Sequence, residues 1–246
     1  MKKKSVIAIV IAVIAIVLVV GGIVIFLASG FTQELAIKNE IQQMDEMTND
    51  VENVDIEAFN QKADTIVTTG DYAVVEQAVK TYLKESVNYT LEIKALLDDE
   101  QMANIVTADN YQTDGPDFVQ TTQYLSDSKA KLEEAKTKFP EMFTEEKIMS
   151  YIDGKIDDEY YIDFYKEVAI GNEAELMPQE DLDTINSSLD TVINILNIEE
   201  EMINLLKDNK GTWTIEDGMI MFTSDSVLTT YNDLVAELQS VANILL

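Results

Sequence analysis

The densest concentration of chemically able side chains in this sequence is the stretch "SYIDGKIDDEYYIDFYKE", where Tyr151, Tyr160, Tyr161, Phe164 and Tyr165 stand among carboxylates. Aromatic rings rimmed by acids are suited to stacking on a sugar or to holding an organic cation against a ring face. Tyr161, Phe164, Tyr165 and Val168 also fall at i, i+3, i+4 and i+7, the spacing of a buried helix face. Core packing is therefore the first expectation for this segment. A ligand platform built on Tyr151, Tyr160, Tyr161 and Tyr165 is the alternative.

A second candidate surface lies in "GTWTIEDGMIMFTSD", the one stretch that breaks helical periodicity. Asp217-Gly218 is a strong two-residue turn signal, and pairing around it sets Trp213 opposite Phe222 and Ile215 opposite Ile220 on one face of a β-hairpin, at about 212–223. Thr214, Glu216, Met219 and Met221 take the other face. An isolated hairpin is marginal in water, so the aromatic face is expected to pack on helices. Trp213, Met219 and Met221 are the candidates for contact with a protein partner.

Other chemistry is restricted by what is missing. The chain contains no Cys, His or Arg. That excludes disulfides, thiolate nucleophiles, imidazole acid/base catalysis, ordinary zinc sites and guanidinium forks. Carboxylates remain, and a pair of them is a known hydrolytic device, but 46 Asp and Glu make some close pair inevitable in any fold. No Gly-rich phosphate loop, nucleophile elbow or Ser-x-x-Lys motif is present. A carboxylate-based hydrolase is thus an alternative, and no catalytic residue is assigned. Calcium is the metal these oxygens would suit. However, "NYQTDGPDFVQT" puts Asn110 and Thr121 where an EF-hand needs an acid and a bidentate Glu. No metal ligand and no cofactor are expected.

The elements that position these residues begin with an uncharged run from Val6 to Ala28 behind Lys2, Lys3 and Lys4. Its 23 residues make a helix of about 34 Å, enough to cross a hydrocarbon core of about 30 Å. Lysine asymmetry places the N-terminus in the cytoplasm, with residues 31–246 outside the plasma membrane. Ala28-Ser29-Gly30 offers small residues for signal peptidase, so a secreted soluble form cleaved near Gly30 is an alternative to the anchor. All 46 acids and 14 of the 17 lysines follow Gly30, giving residues 31–246 a formal charge of −32. Such a surface repels nucleic acid. Lys without Arg, with much Ile and Asn, suggests an AT-rich bacterial genome.

Residues 31–246 read as an all-α bundle carrying the one hairpin. Three apolar stripes mark long helices: Val75, Val79, Tyr82, Ser86, Tyr89, Ile93 and Leu96 in the first, and Leu182, Ile185, Leu189, Val192, Leu196, Glu199, Ile203 and Leu206 in the second. The third comprises Val227, Tyr231, Leu234, Leu238, Val241 and Leu245. Shorter helices are expected over 32–49, 55–69, 116–138, 144–152 and 157–170, with 110–115 as a loop, Pro116 in a first helical turn and Ser224 capping the last helix. "GNEAELMP", 171–178, is the candidate internal boundary. The resulting expectation is a single-pass, membrane-anchored extracytoplasmic module, non-catalytic, that binds a protein partner; a solute- or glycan-binding module using residues 151–165 is the alternative.

Overall fold

The computed structural model describes residues 32–50, 53–171 and 177–243. The expected membrane span at 6–28 and residues 172–176 of the candidate boundary lie outside them. Among the described residues no helix is long and apolar enough to cross a membrane.

The described residues are mostly helical (76%), with one small antiparallel hairpin. The helices are α1 (Thr32–Thr48), α2 (Ile56–Asp64), α3 (Asp71–Leu97), α4 (Glu100–Asn104), α5 (Ala108–Asp114), α6 (Val119–Met142), α7 (Glu145–Met149), α8 (Glu159–Ile170) and α9 (Gln179–Asp208). Strands β1 (Trp213–Glu216) and β2 (Met219–Phe222) follow, then α10 (Asp225–Ala242). Short polar side chains start many of these helices by accepting a free first-turn amide: Asp55 from Ala58, Thr107 from Asn110, Thr144 from Lys147, Asp158 from Tyr160 and Ser224 from Val227.

The described residues divide into two compact units, one containing 32–92 and 137–183, the other 93–136 and 184–243. In the first, Ile37 and Ile41 of α1, Val75 and Val79 of α3, and Phe164, Tyr165 and Val168 of α8 share one buried cluster with Ile148. A second cluster joins Met44, Phe59, Ala63 and Val87. In the other unit, α9 buries Ile185, Leu189, Val192, Leu196, Ile203 and Leu206, and also Ile198 and Met202 beside that row, so its apolar face is wide. The stripe of α10 is less covered: Val227 is buried, whereas Tyr231, Leu234, Leu238 and Val241 are half-buried.

The first unit also buries charge. Lys80 and Glu76 are wholly inaccessible, with Lys80 Nζ 2.7 Å from Glu76 Oε1, 2.7 Å from Glu40 Oε2 and 2.6 Å from the Thr65 carbonyl. Glu76 in turn accepts the amides of Val67 and Thr68 and the Thr68 hydroxyl, at 2.6–3.1 Å. Burial alone would raise the Glu76 carboxyl, but the Lys80 ammonium and the Thr68 and Val67 donors outweigh it and bring it below the ordinary value.

Three expectations need correction. The helix expected over 55–69 stops at Asp64, because the backbone of Thr65, Val67 and Thr68 is claimed by Lys80 and Glu76 instead of by the next helical turn. Residues 110–115, expected as a loop, belong mostly to α5, which Thr107 caps. Pro116 lies ahead of the helix it was expected to begin, since α6 starts at Val119. There Asp114, not proline, marks the start, accepting the amides of Gln120 at 3.3 Å and Thr121 at 2.7 Å.

Candidate functional site

The hairpin has the expected register, Trp213 opposite Phe222 and Ile215 opposite Ile220. Asp217 (φ 54°) and Gly218 (φ 74°) both adopt left-handed backbone, the requirement of a tight two-residue hairpin turn. Its inner face is tied down in several ways. The Trp213 ring stacks on Phe118 at 6.0 Å and meets Tyr111 edge-on at 6.3 Å, while the indole N–H donates to the Leu206 carbonyl at 2.9 Å. Phe222 packs on Tyr231 at 5.1 Å, and the Tyr231 and Tyr111 hydroxyls lie 3.0 Å apart. Gly115 makes room for this packing: a Cβ there would stand 2.3 Å from the Tyr111 carbonyl oxygen and 3.0 Å from the Trp213 ring.

The outer face is open to water. Met219 is 61% exposed and Met221 46%, together on one face of β2, while the intervening Ile220 is half-buried on the other. After Lys210 the chain has no lysine but carries Glu216, Asp217, Asp225, Asp233 and Glu237, all exposed. Trp213 therefore serves as the fixing point, and Met219 and Met221 as the accessible apolar atoms within an acidic surround.

The tyrosine-rich segment separates into three environments. Tyr165 is fully buried, its hydroxyl donating to the Ile148 carbonyl at 2.7 Å, so it takes no part in a surface. Tyr160 and Tyr161 meet edge-to-face at 5.2 Å, and Tyr161 meets Tyr72 at 4.9 Å. Tyr160 donates to Glu34, which also accepts from the Tyr72 hydroxyl at 3.2 Å. The hydrogen bonds to Glu34 and Tyr72 push the Tyr160 hydroxyl well above the ordinary tyrosine range. Glu34 is thereby already supplied with two donors, and Tyr161 is covered edge-on by a neighbour on each side.

Tyr151 belongs to a third place, a cleft of about 350 Å³ in the unit containing 32–92 and 137–183. Glu85, Asn88, Tyr89 and Glu92 reach it from α3, and Lys138, Glu141 and Met142 from the end of α6. Lys147 of α7 and Tyr151 just after it complete the lining. Tyr89, Tyr151 and Met142 are buried and form the floor; Glu85, Glu92, Lys138 and Glu141 are exposed and form the rim. Lys138 Nζ lies 4.1 Å from the Tyr89 ring centre and Lys147 Nζ 5.0 Å from that of Tyr151. Tyr89 also packs on Phe139 at 5.3 Å and Tyr151 on Tyr82 at 5.7 Å. The Tyr151 hydroxyl donates to Glu85; burial first and that bond second raise it far above the ordinary range. Sequence reasoning found Tyr151 and missed its cleft partners. The available signal was Glu85, Tyr89 and Glu92 at i, i+4 and i+7, but nothing in the sequence brings 138–151 against it.

No protein-family model, curated protein or solved structure matches this chain.

Among the described residues no group of three or more carboxylates is placed to hold a metal ion. The hairpin offers apolar contact beside acids, the Tyr160 and Tyr161 pair is largely engaged with Glu34 and Tyr72, and the cleft presents charge of both signs.

Proposed function

We propose that this protein is a membrane-anchored binding module, held by residues 6–28 with its N-terminus in the cytoplasm, that presents an acidic helical part outside the membrane to a protein partner. The observation that carries the reading is the two-sidedness of the hairpin. One face is fixed by Trp213 and Phe222, and the other offers Met219 and Met221 to solvent. Exposed methionine is an adaptable apolar contact, and such residues surrounded by polar groups are a common form of docking surface. With five exposed acids and no lysine after Lys210, the matching partner carries an apolar contact flanked by Lys or Arg.

Because the chain lacks cysteine, single introduced cysteines report on topology without background. Thr229→Cys in the full chain is expected to react with a membrane-impermeant maleimide in intact cells, and Ser5→Cys only after lysis; the reverse pattern refutes the orientation. A photo-crosslinking residue at position 219 is expected to trap one protein, and trapping should be lost with Glu216→Lys and Asp217→Lys together and weaken as salt rises. Met219→Ser with Met221→Ser should abolish partner binding while leaving the melting temperature unchanged. Equal trapping from position 229 and position 219 argues against the hairpin as the docking face.

A further inference from the structure

From the cleft between α3, the end of α6 and α7 we infer a second binding site, for a short peptide with a free ammonium and a free carboxylate. It is separate from the hairpin and does not depend on it. The volume, about 350 Å³, lies at the lower end of the range for small-molecule sites and suits a ligand of amino-acid to tripeptide size.

The ligand class follows from which groups are already engaged. Tyr89 and Tyr151 look like sugar-stacking rings, yet each carries a lysine ammonium over its ring and packs against a further aromatic, Phe139 or Tyr82. A pyranose would have to displace those lysines to stack. What the cleft offers instead is charge of both signs. Among the described residues Lys147 has no carboxylate within ion-pair distance, and Glu141 has no cation, although both line the same cleft. A ligand carboxylate at Lys147 and a ligand ammonium at Glu141 would complete both, while Met142 beneath supplies apolar floor for the chain between. Three carboxylates against two lysines on the lining favour a peptide that brings one further positive charge.

The test is calorimetric titration of the full chain in detergent with trialanine, lysyl-alanyl-alanine and trialanine capped at both ends. The uncapped peptides are expected to bind and the capped one to bind at least about tenfold more weakly, the weight of one lost charge-assisted contact. Lysyl-alanyl-alanine should be the tighter of the two. Lys147→Met should weaken trialanine about tenfold and leave the capped peptide unaffected, and Glu141→Gln should do the same through the opposite end. Both positions are on the cleft rim or partly exposed, so their melting curves should overlay wild type, and either variant alone suffices to decide. Absence of heat from all three peptides, equal binding of capped and uncapped forms, or unchanged affinity in either variant overturns the inference.

Discussion

Replacing Lys80 by Met tests whether the buried charges of the first unit are structural. The stem is of similar length and apolar, so packing changes little. The lost atom is Nζ, which makes three contacts of 2.6–2.7 Å to Glu76, Glu40 and the Thr65 carbonyl. Glu40 keeps Lys62 at 3.0 Å and some access to water. Glu76 keeps only uncharged donors and is wholly inaccessible, so it becomes an uncompensated buried carboxylate. Removing one partner of such a pair costs about 3–5 kcal/mol, a large share of the roughly 5–15 kcal/mol that holds a domain together. Urea denaturation of the full chain in detergent, followed by far-UV dichroism, measures the loss. Hydrogen exchange at the Val67 and Thr68 amides localises it, because these donate to Glu76. The pH dependence gives a further check. In the wild type the Glu76 carboxyl sits below its ordinary 4.5, so its stabilisation is present above that pH and is lost as pH falls through the lower, folded value. In the variant the lysine is gone and burial dominates, so acid removes an unfavourable charge there. The gap between wild type and Lys80→Met should therefore begin to narrow above the ordinary 4.5, as the variant's raised carboxyl takes up its proton, and go on narrowing until pH has passed the wild type's lowered value. A loss under about 1 kcal/mol, or a gap unchanged from neutral to acid pH, refutes the reasoning.

Two other perturbations probe the second unit. Gly115→Ala places a Cβ 2.3 Å from the Tyr111 carbonyl oxygen and against the Trp213 ring, and should cost about 1–3 kcal/mol, with altered fluorescence of the single tryptophan. Unchanged emission would show that the packing yields without consequence. Asp114→Asn removes the charged acceptor at the start of α6 and should cost about 1 kcal/mol at neutral pH, discounted for its contact with water. Burial raises the Asp114 carboxyl, but the Thr121 amide and hydroxyl and the Gln120 amide more than reverse this. The wild type therefore loses this contribution as pH falls below the ordinary 3.8, whereas the variant has none to lose. Parallel acid melting curves for the two would contradict that role.

How much was legible in the sequence depended on whether the deciding interaction was local. The hairpin was, because Asp217-Gly218 fixes the turn, the turn fixes the register, and alternation then assigns faces to Trp213, Met219 and Met221. The long stripes of α3 and α9 were also legible, since their buried positions recur at helical spacing. What failed was long-range. Nothing in the sequence marks Glu76 and Lys80 as interior, because a charged residue beside an apolar stripe normally faces water. Only the approach of residues 65–68 makes Glu76 and Lys80 interior, and that same approach ends α2 at Asp64. Likewise Tyr151 and Tyr165 share one short stretch of sequence, yet one lines a cleft and the other is core. That difference is set by α3 and α7 rather than by anything near them in the chain.

Charge placement links the fold to the proposed docking face. Many of the lysines outside the N-terminal tail are engaged internally: Lys38 with Glu167, Lys62 and Lys80 with Glu40, Lys84 with Asp64, Lys129 with Glu200, Lys136 with Asp190 and Lys210 with Asp117. A basic partner approaching those acids would compete with a cation already in place, and much of its gain would be cancelled by the pair it disrupts. The five acids after Lys210 have no lysine in their own stretch of chain, and they stand around the hairpin and along α10, whose apolar stripe is half-covered. At the hairpin, attraction of a basic surface and burial of Met219 and Met221 act together. This is why charge reversal at Glu216 and Asp217 is expected to remove binding that Met219 alone would sustain only weakly, and why raising salt should separate the electrostatic share from the apolar one.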